Sequence, residues 1–276
     1  MVEVTPTSMV RRQLGRKLGR LREAAGMAGI DVEKRKIASR SKVWRIESGQ
    51  VPVKIPDVWA LCALYGATPE ETAQLSKMAE NTNKQGWWED YADVVPDWFQ
   101  LYFDLEEAAS AIRTFEDGII PGELQTAEYA HAVYRAAQPQ DDDDTIARHV
   151  KLRLERQGRL FDRSPAPQLT IVLGENVLTR LVGGREVLDA QIAHLRELSQ
   201  RPQVEIRVLP FAAGAHAAMT GAFRILDFPD DEDPAVAYLE TQVGARYLEK
   251  PAELDEYRRI FQLIHQQSTP IGEYAP

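Results

Sequence analysis

The sequence predicts an all-α N-terminal domain of five short helices, followed by an α+β domain with a mainly antiparallel sheet. Between residues 10 and 80, apolar residues recur at helical spacing between helix start and stop signals. Residues 81–86 are polar and end in glycine, which is typical of a linker. Several consecutive strand-like segments then follow, together with helices. We therefore predict a first domain over residues 1–80, a linker over 81–86 and a second domain over 87–276.

The first helix is predicted over Val10–Ala25, where apolar residues at intervals of three or four form one stripe. The fifth is predicted to begin at Pro69 with a capping box, in which Thr68 and Glu71 bond to each other's backbone N–H. The predicted helices are Val10–Ala25, Ile30–Lys36, Ser39–Gly49, Asp57–Tyr65 and Pro69–Met78.

The third helix carries the main functional prediction. Ser39 can cap its first turn, and Gly49 stands where a helix end favours a left-handed residue. Val43 and Ile46 are three apart and are predicted to face a core. The other faces carry cations, hydroxyls and one aromatic ring, which suit phosphates and base edges: Ser39, Arg40, Ser41, Lys42, Trp44 and Arg45. This pattern predicts that residues 39–47 are the recognition helix of a helix-turn-helix and that double-stranded DNA is its target.

The charge distribution agrees with a DNA-binding head. Residues 1–54 carry 13 Lys/Arg and 5 Asp/Glu, a net charge of +8, whereas the remaining residues carry −17. Association with DNA follows the local field rather than the total charge of −9. On the first helix, Arg12 and Arg16 are predicted to lie near phosphates, together with Arg11 and Lys17.

Residues 10–80 resemble the Xre-type helix-turn-helix family, the class of the lambda and 434 repressors and Cro. The resemblance rests on Gly26-Met27, on Ser39–Gly49 and on the helix Asp57–Tyr65. It implies that Glu47 is structural and pairs with Arg22. It also implies that Arg40, Ser41 and Trp44 face the major groove, that Ser39 and Lys42 meet the backbone, and that the chain binds as a homodimer.

Three departures from the family pattern affect the second helix. Gly29 stands where the family usually has Gln, Glu33 where it has a small Ala, and Lys36-Ile37 where it has Leu-Gly. A Glu at a close helix crossing costs stability unless it turns outward, so the second helix is expected to be displaced or loosely packed. The alternative function is therefore a protein-interaction regulator whose degenerate helix-turn-helix binds a small partner protein rather than DNA.

An aromatic-rich segment follows the linker. Trp87 and Trp88 precede a second run of aromatic residues over Trp98–Phe103. One interpretation is packing between the two domains or within the second core. The other is a contact surface for another chain.

The second domain is predicted to place helices on one face of its sheet. An alternation of apolar and charged residues, as in Val204–Val208, predicts half-buried strands. The predicted strands are Ala109–Glu116, Gln168–Leu173, Val204–Val208, Ala222–Phe228 and Ala235–Thr241. The predicted helices are Thr126–Ala137, Asp144–Phe161, Glu175–Leu181, Arg185–Leu198 and Pro251–Gln267.

This part resembles the C-terminal domain of unknown function that follows such a helix-turn-helix in Streptomyces and other actinobacterial regulators, the WhiJ-like group. The motifs include Gly86-Trp87-Trp88, Ile120–Thr126, Arg153–Gln157 and Val208–His216. The resemblance implies a sensing or dimerisation domain, which would respond to a small regulatory protein or an unknown small ligand.

The most suggestive loop of this domain is Pro210–Gly221, which is almost uncharged and rich in small residues. If it is functional, Phe211, His216 and Met219 would line the approach of a ligand or partner. The alternative is a loop folded over its own core.

The sequence offers little for catalysis. The five His lie far apart and no Cys or carboxylate stands at ligand spacing, so no metal is predicted. There is no phosphate loop and no nucleophile elbow, and no cofactor is predicted. Asp104, Glu106, Glu107 and Glu116 are expected to face solvent. A hydrolase would need a pocket with convergent ionisable groups, and we predict a protein that is not an enzyme.

The location is predicted to be the cytoplasm. No apolar run approaches the roughly 18 residues that a membrane span requires. The N-terminus lacks a charged region followed by an apolar core, unlike a signal peptide. The single Cys62 cannot form an internal disulfide and lies in an apolar helical run, which predicts a small buried thiol.

Overall fold

The computed structural model describes residues 9–49, 51–81, 87–91, 93–229 and 233–274. The chain divides into two compact units, residues 1–105 and 106–276. The predicted fold class is confirmed, because a helical unit precedes an α+β unit with a seven-stranded, mostly antiparallel sheet. Residues 82–86 of the predicted linker lie outside the described residues.

The first unit contains the five predicted helices. They share one core, in which Leu14, Leu18, Val43, Ile46 and Leu61 are each at most 2% exposed. Burial of such side chains contributes about 1.5–3 kcal/mol each. Cys62 is also buried there, as predicted. The helices are α1 (Met9–Ala24), α2 (Gly29–Lys34), α3 (Arg40–Glu47), α4 (Ile55–Tyr65) and α5 (Pro69–Asn81).

The predicted helix ends are confirmed by their capping bonds. The Lys42 N–H donates to Ser39 Oγ at 3.2 Å at the start of α3. At the start of α5 the Thr68 N–H donates to the Glu71 carboxylate at 2.7 Å, and the Glu71 N–H donates back to Thr68 Oγ1 at 3.1 Å. Gly49 has a φ of 69°, the left-handed conformation expected after α3.

The aromatic segment after the linker forms a buried cluster. Phe103 lies 5.1 Å from Trp87, 5.6 Å from Trp88 and 4.9 Å from Phe99, measured between ring centroids. Trp88 is 8% exposed and Tyr102 is fully buried, whereas Trp87 is half-buried. The cluster therefore fills a core, which favours the packing interpretation, and the assignment of Trp87 and Trp88 to a surface for another chain stays a prediction. Residues 87–105 group with the first unit, although the sequence assigned them to the second domain.

A helix that the sequence did not predict carries part of this cluster. It is α6 (Asp97–Ala108), which begins directly after Pro96. The division between the two units falls near its end.

The second unit is built on one mixed sheet. Its order is β6-β5-β4-β1-β2-β3-β7, with β1, β2 and β3 parallel and the remaining pairs antiparallel. The strands are β1 (Ala111–Glu116), β2 (Gln168–Gly174), β3 (Val204–Leu209), β4 (Phe223–Asp227), β5 (Val236–Thr241), β6 (Gly244–Leu248) and β7 (Thr269–Pro270). The helices are α7 (Ala127–Ala137), α8 (Asp143–Asp162), α9 (Asn176–Thr179), α10 (Arg185–Leu198) and α11 (Pro251–Gln267).

Side chains on the two faces of the sheet have different partners. On one face Ile225 of β4 packs with Phe261 and Ile264 of α11. Its neighbour Arg224 points the other way, because successive strand residues alternate, and donates to Glu123 at 2.8 Å. Arg156 of α8 also bonds Glu123, at 3.4 Å. The sheet is therefore covered on both faces, which corrects the expectation of helices on one face only.

Charged residues are buried on that second face. Arg156 donates two hydrogen bonds of 2.6 Å to Glu106, and both side chains are almost fully buried. The expectation that Glu106 faces solvent was wrong, because this guanidinium removes the cost of burying its carboxylate. Glu116 is also largely removed from solvent, and burial raises its pKa to about 7. Glu107 remains exposed, as expected.

Candidate nucleic-acid interface

Helix α3 divides cleanly into a buried and an exposed side. Val43 and Ile46 are 2% and 1% exposed and anchor the helix in the core. At about 100° per residue, the four exposed side chains fall within an arc of about 140°. In order around that arc they are Arg40, Trp44, Ser41 and Arg45. We call these four residues the exposed arc.

The exposed arc is available to an incoming ligand. Trp44 is 59% exposed, and the side chains of Arg40, Ser41 and Arg45 are exposed as well. Within the described parts of the chain, neither Arg40 nor Arg45 forms a salt bridge or a side-chain hydrogen bond. Both guanidiniums keep all their donors for a phosphate or for a bidentate contact with guanine.

A bidentate ion pair fixes the end of α3 to α1. Arg22 donates to the two carboxylate oxygens of Glu47 at 2.7 and 2.9 Å, and also to the Met27 carbonyl at 2.7 Å. The hydrogen bond to Glu47 raises the pKa of Arg22. The structure thus contains the Arg22–Glu47 pair that the family resemblance implied. Planar two-point pairing adds geometric precision as well as energy, so the orientation of α3 is set from this end.

Helix α1 also approaches α3 through glycines. A Cβ on Gly15 would lie only 2.7 Å from the Glu47 carbonyl oxygen and even closer to that of Ile46. A Cβ on Gly49 would lie 2.8 Å from Arg12 Cα. The sequence analysis missed Gly15. The spacing of Gly15 and Gly19, four residues apart on one helix face, is the signal that could have indicated a close crossing.

The residues that depart from the family pattern leave α2 packed on the core of the first unit. Val32 is fully buried and fills the core contact, whereas Glu33 turns outward and is exposed. Gly29 faces α3, where a Cβ would lie 3.5 Å from Arg40 Cγ. The left-handed residue of the turn is Lys36, with a φ of 58°, and not Ile37, whose side chain packs against the core. These contacts argue against a loosely packed second helix, and its displacement relative to the family stays a prediction.

The four cations of α1 that were predicted to lie near phosphates are less exposed than those of the arc. Arg12 and Arg16 are half-buried, and Arg12 packs against the Gly49 end of α3. Burial lowers the pKa of Arg11, which also lies near the Asp104 carboxylate. The assignment of Arg12 and Arg16 to phosphate contacts stays a prediction.

Lys42 lies at the edge of the exposed arc. It is displaced by about 60° from Arg45 around the helix, towards buried Ile46. Its Nζ donates to Asp57 Oδ1 of α4 at 2.8 Å. The side chains are 39% and 27% exposed. The sequence analysis did not identify Asp57 as a partner.

In the loop Pro210–Gly221 of the second unit, two of the three predicted contact residues are exposed. Phe211 and Met219 are 64% and 67% exposed. His216 instead lies against Phe115, with ring centroids 5.7 Å apart, and its Nδ1 accepts from the Ala218 N–H at 3.3 Å. Because Ala218 is buried in the core, the loop is partly folded over its own core.

Two clefts lie among the described residues of the second unit. One of about 510 Å³ is lined by Glu128, His131 and small apolar residues of α7, α8 and α10, beside Gly183. The other, of about 370 Å³, is lined by Arg113, Glu205, Arg258 and His265, which are already paired. Among the described residues, no group of three or more His, Cys, Asp and Glu is placed to hold a metal ion. In that same part of the chain, no helix has the length and apolar character needed to cross a membrane.

Two family models match the chain. One, described as a helix-turn-helix domain, matches residues 13–75, which include α2, α3 and α4. The other, described as a domain of unknown function (DUF5753), matches residues 99–273. No curated protein and no solved structure matches the chain. The helix-turn-helix match supports a DNA-binding regulator.

Proposed function

The chain belongs to the family of the domain of unknown function DUF5753, and because a helix-turn-helix precedes that domain we propose that it is a sequence-specific DNA-binding regulator of transcription. Helix α3 would enter the major groove. The single observation that carries the proposal is the exposed arc, with two arginines available on a helix that is capped at its start and fixed to α1 at its end.

The residues of α3 would divide the work of recognition. Arg40, Ser41, Trp44 and Arg45 would face the bases. Ser39 would meet the backbone at the start of the helix, where N–H groups favour phosphate. Arg12 and Arg16 would position the domain without reading sequence. The net charge of +8 on residues 1–54 would draw this head, rather than the acidic remainder, to DNA.

The second unit would regulate this binding. We propose that the chain acts as a homodimer in the cytoplasm, held partly by the second unit, and that this unit responds to a small regulatory protein or an unknown small ligand. We also place the chain with the WhiJ-like actinobacterial regulators, on the combination of motifs from Gly86 to His216. The exposed Phe211 and Met219 support a contact role for their loop.

The test is binding of the full chain to DNA selected from a random duplex library. Arg40→Ala or Arg45→Ala should weaken binding to the selected sequence by about 1–3 kcal/mol and relax preference at one position, because a bidentate base contact is lost. Arg185→Ala, which removes an exposed arginine from α10, is the matched control and should bind like the parent chain.

A salt titration separates this proposal from the alternative of a degenerate helix-turn-helix that binds a protein. DNA binding led by phosphates loses affinity steeply as salt rises. Selection of no preferred sequence, with an affinity for DNA that does not change with salt, would reject the proposal. The alternative was motivated by Gly29, Glu33 and Ile37. Because α2 and the turn after it accommodate all three, no observation on the described residues favours this alternative.

A further inference from the structure

One of the three cations of α3 already forms an ion pair within the domain. Lys42 Nζ lies 2.8 Å from Asp57 Oδ1, the geometry of a charge-assisted hydrogen bond. Arg40 and Arg45 have no comparable acceptor among the described residues. The three cations of the helix therefore differ in availability, although a count of charges treats them alike.

Asp57 is well placed to keep this bond. It stands in the first turn of α4, where the helix dipole stabilises a carboxylate. Lys42 lies at the edge of the exposed arc, on the side next to buried Ile46. Its ammonium therefore bonds a residue of α4 instead of pointing away from the domain with the arc. A carboxylate beside a lysine and a helix N-terminus occupies the position that an anion such as phosphate would take.

We propose that Asp57 acts as an internal substitute for a DNA phosphate and withholds Lys42 from the backbone of arbitrary DNA. This inference rests on the proposed function and deepens it, because it concerns how the same helix avoids non-specific binding. Phosphate contacts supply essentially all of non-specific affinity and carry no sequence information. Neutralising Lys42 lowers the affinity for arbitrary DNA and leaves the base-facing arginines untouched, which raises the ratio of specific to non-specific binding.

The first measurement needs no DNA. The full chain is treated with a limiting amount of an amine-acylating reagent, and modification of each lysine is followed by mass spectrometry. Asp57→Asn should make Lys42 react several-fold faster, because the ammonium loses its carboxylate partner. Lys36, which is exposed in the turn after α2, should not change. Equal reactivity of Lys42 in both chains would overturn the inference.

The second measurement is a double-mutant cycle in DNA binding, with a fluorescent random-sequence duplex as the probe. Asp57→Asn should raise affinity roughly two- to fivefold, the range of a partly exposed ion pair. It should also steepen the slope of log affinity against log salt by about 0.9, the value for one added phosphate contact. Lys42→Gln should make that slope shallower only in the Asp57→Asn background. Glu70→Gln, which removes an exposed acid from α5, controls for the change in net charge.

The outcomes separate the two proposals. If Lys42→Gln lowers the salt slope equally with Asp57 present or replaced, Lys42 already contacts phosphate and Asp57 merely aims it, so the inference fails while DNA binding stands. If neither the parent chain nor any variant binds the duplex with salt dependence, the proposed function fails. The acylation result then still reports whether Asp57 holds Lys42.

Discussion

Gly15 provides the sharpest test of how α3 is positioned. In Gly15→Ala the new methyl group would lie 2.7 Å from the Glu47 carbonyl oxygen, where ordinary contact begins near 3.4 Å. The obstacle is backbone, so it cannot rotate away as a side chain would. Helix α1 must move away from the end of α3 by a large fraction of an ångström. At Gly19, one turn further along α1, the nearest atom would be the Glu47 Cδ at 3.5 Å, and a methyl group fits.

The expected magnitudes have opposite signs at the two positions. Forcing an extra methyl group into a packed contact costs about 1–3 kcal/mol. Replacing glycine by alanine inside a helix stabilises the helix by roughly 0.5–1 kcal/mol. Gly15→Ala should therefore destabilise the helical unit by up to about 2.5 kcal/mol. Gly19→Ala should stabilise it by about 0.5–1 kcal/mol.

Hydrogen exchange on the full chain, read by mass spectrometry over peptides of α1 and α3, measures both effects. Each 1 kcal/mol corresponds to about a fivefold change in exchange, as long as reclosing is fast. Gly15→Ala should exchange faster in both helices, and Gly19→Ala should exchange more slowly. If Gly15→Ala is as protected as Gly19→Ala, the close crossing of α1 and α3 is wrong and so is the reasoning built on it.

Two further predictions concern buried charges of the second unit. Arg156→Met should cost about 3–5 kcal/mol in urea unfolding, because it removes the guanidinium that pairs with the buried Glu106 carboxylate. Arg159→Ala, which breaks an exposed pair on the same helix, should cost under about 0.5 kcal/mol. Burial raises the pKa of Glu116 from 4.5 to about 7, so the folded chain keeps a proton that the unfolded chain releases, and stability falls as pH rises through this window. Glu116→Gln should therefore stabilise the folded chain little at pH 4.5 and by up to about 3 kcal/mol above pH 7. Scanning calorimetry measures this difference. A gain of equal size at both pH values would contradict the raised pKa of the buried Glu116.

Helices with local signals were predictable to the residue. The sequence prediction of Arg185–Leu198 for α10 and Pro251–Gln267 for α11 agrees with the observed bounds, because a glycine pair or a proline marks the start of each. Serine and threonine caps marked the starts of α3 and α5, although α5 ends at Asn81 and not at the predicted Met78. These signals act over three or four residues, so the sequence alone contains them.

Elements without such signals were missed. Helix α6 buries Leu101, Tyr102, Phe103 and Leu105 around much of its circumference, so its sequence shows an apolar run instead of a stripe. Strands β6 and β7 are five and two residues long at the edges of the sheet. Their existence depends on pairing with β5 and β3, which no local pattern reveals.

The same distinction explains the error at α2. A pattern match assigned Glu33 to the helix crossing, but the identity of the inward residue depends on the rotation of the helix about its axis. Val32, one position earlier, takes the inward place, and that rotation carries Glu33 to solvent. The hydrophobic gain from burying Val32 and the cost of burying a carboxylate favour the same rotation. The packing of α2 could have been deduced by comparing the rotation that buries Val32 with the rotation that buries Glu33, instead of aligning the sequence with the family pattern.

The sequence could not predict which cations of the candidate interface are free to bind a phosphate. Helical spacing correctly separated Val43 and Ile46 from Arg40, Trp44 and Arg45, because direction around a helix is local. Whether a cation is free depends on acceptors brought near by the fold, and Asp57 is 15 residues from Lys42. An exposed arginine and a paired lysine contribute equally to the net charge of +8, but only the former can meet a phosphate without first giving up a bond. The number of phosphates that the domain contacts should therefore be smaller than its number of cations.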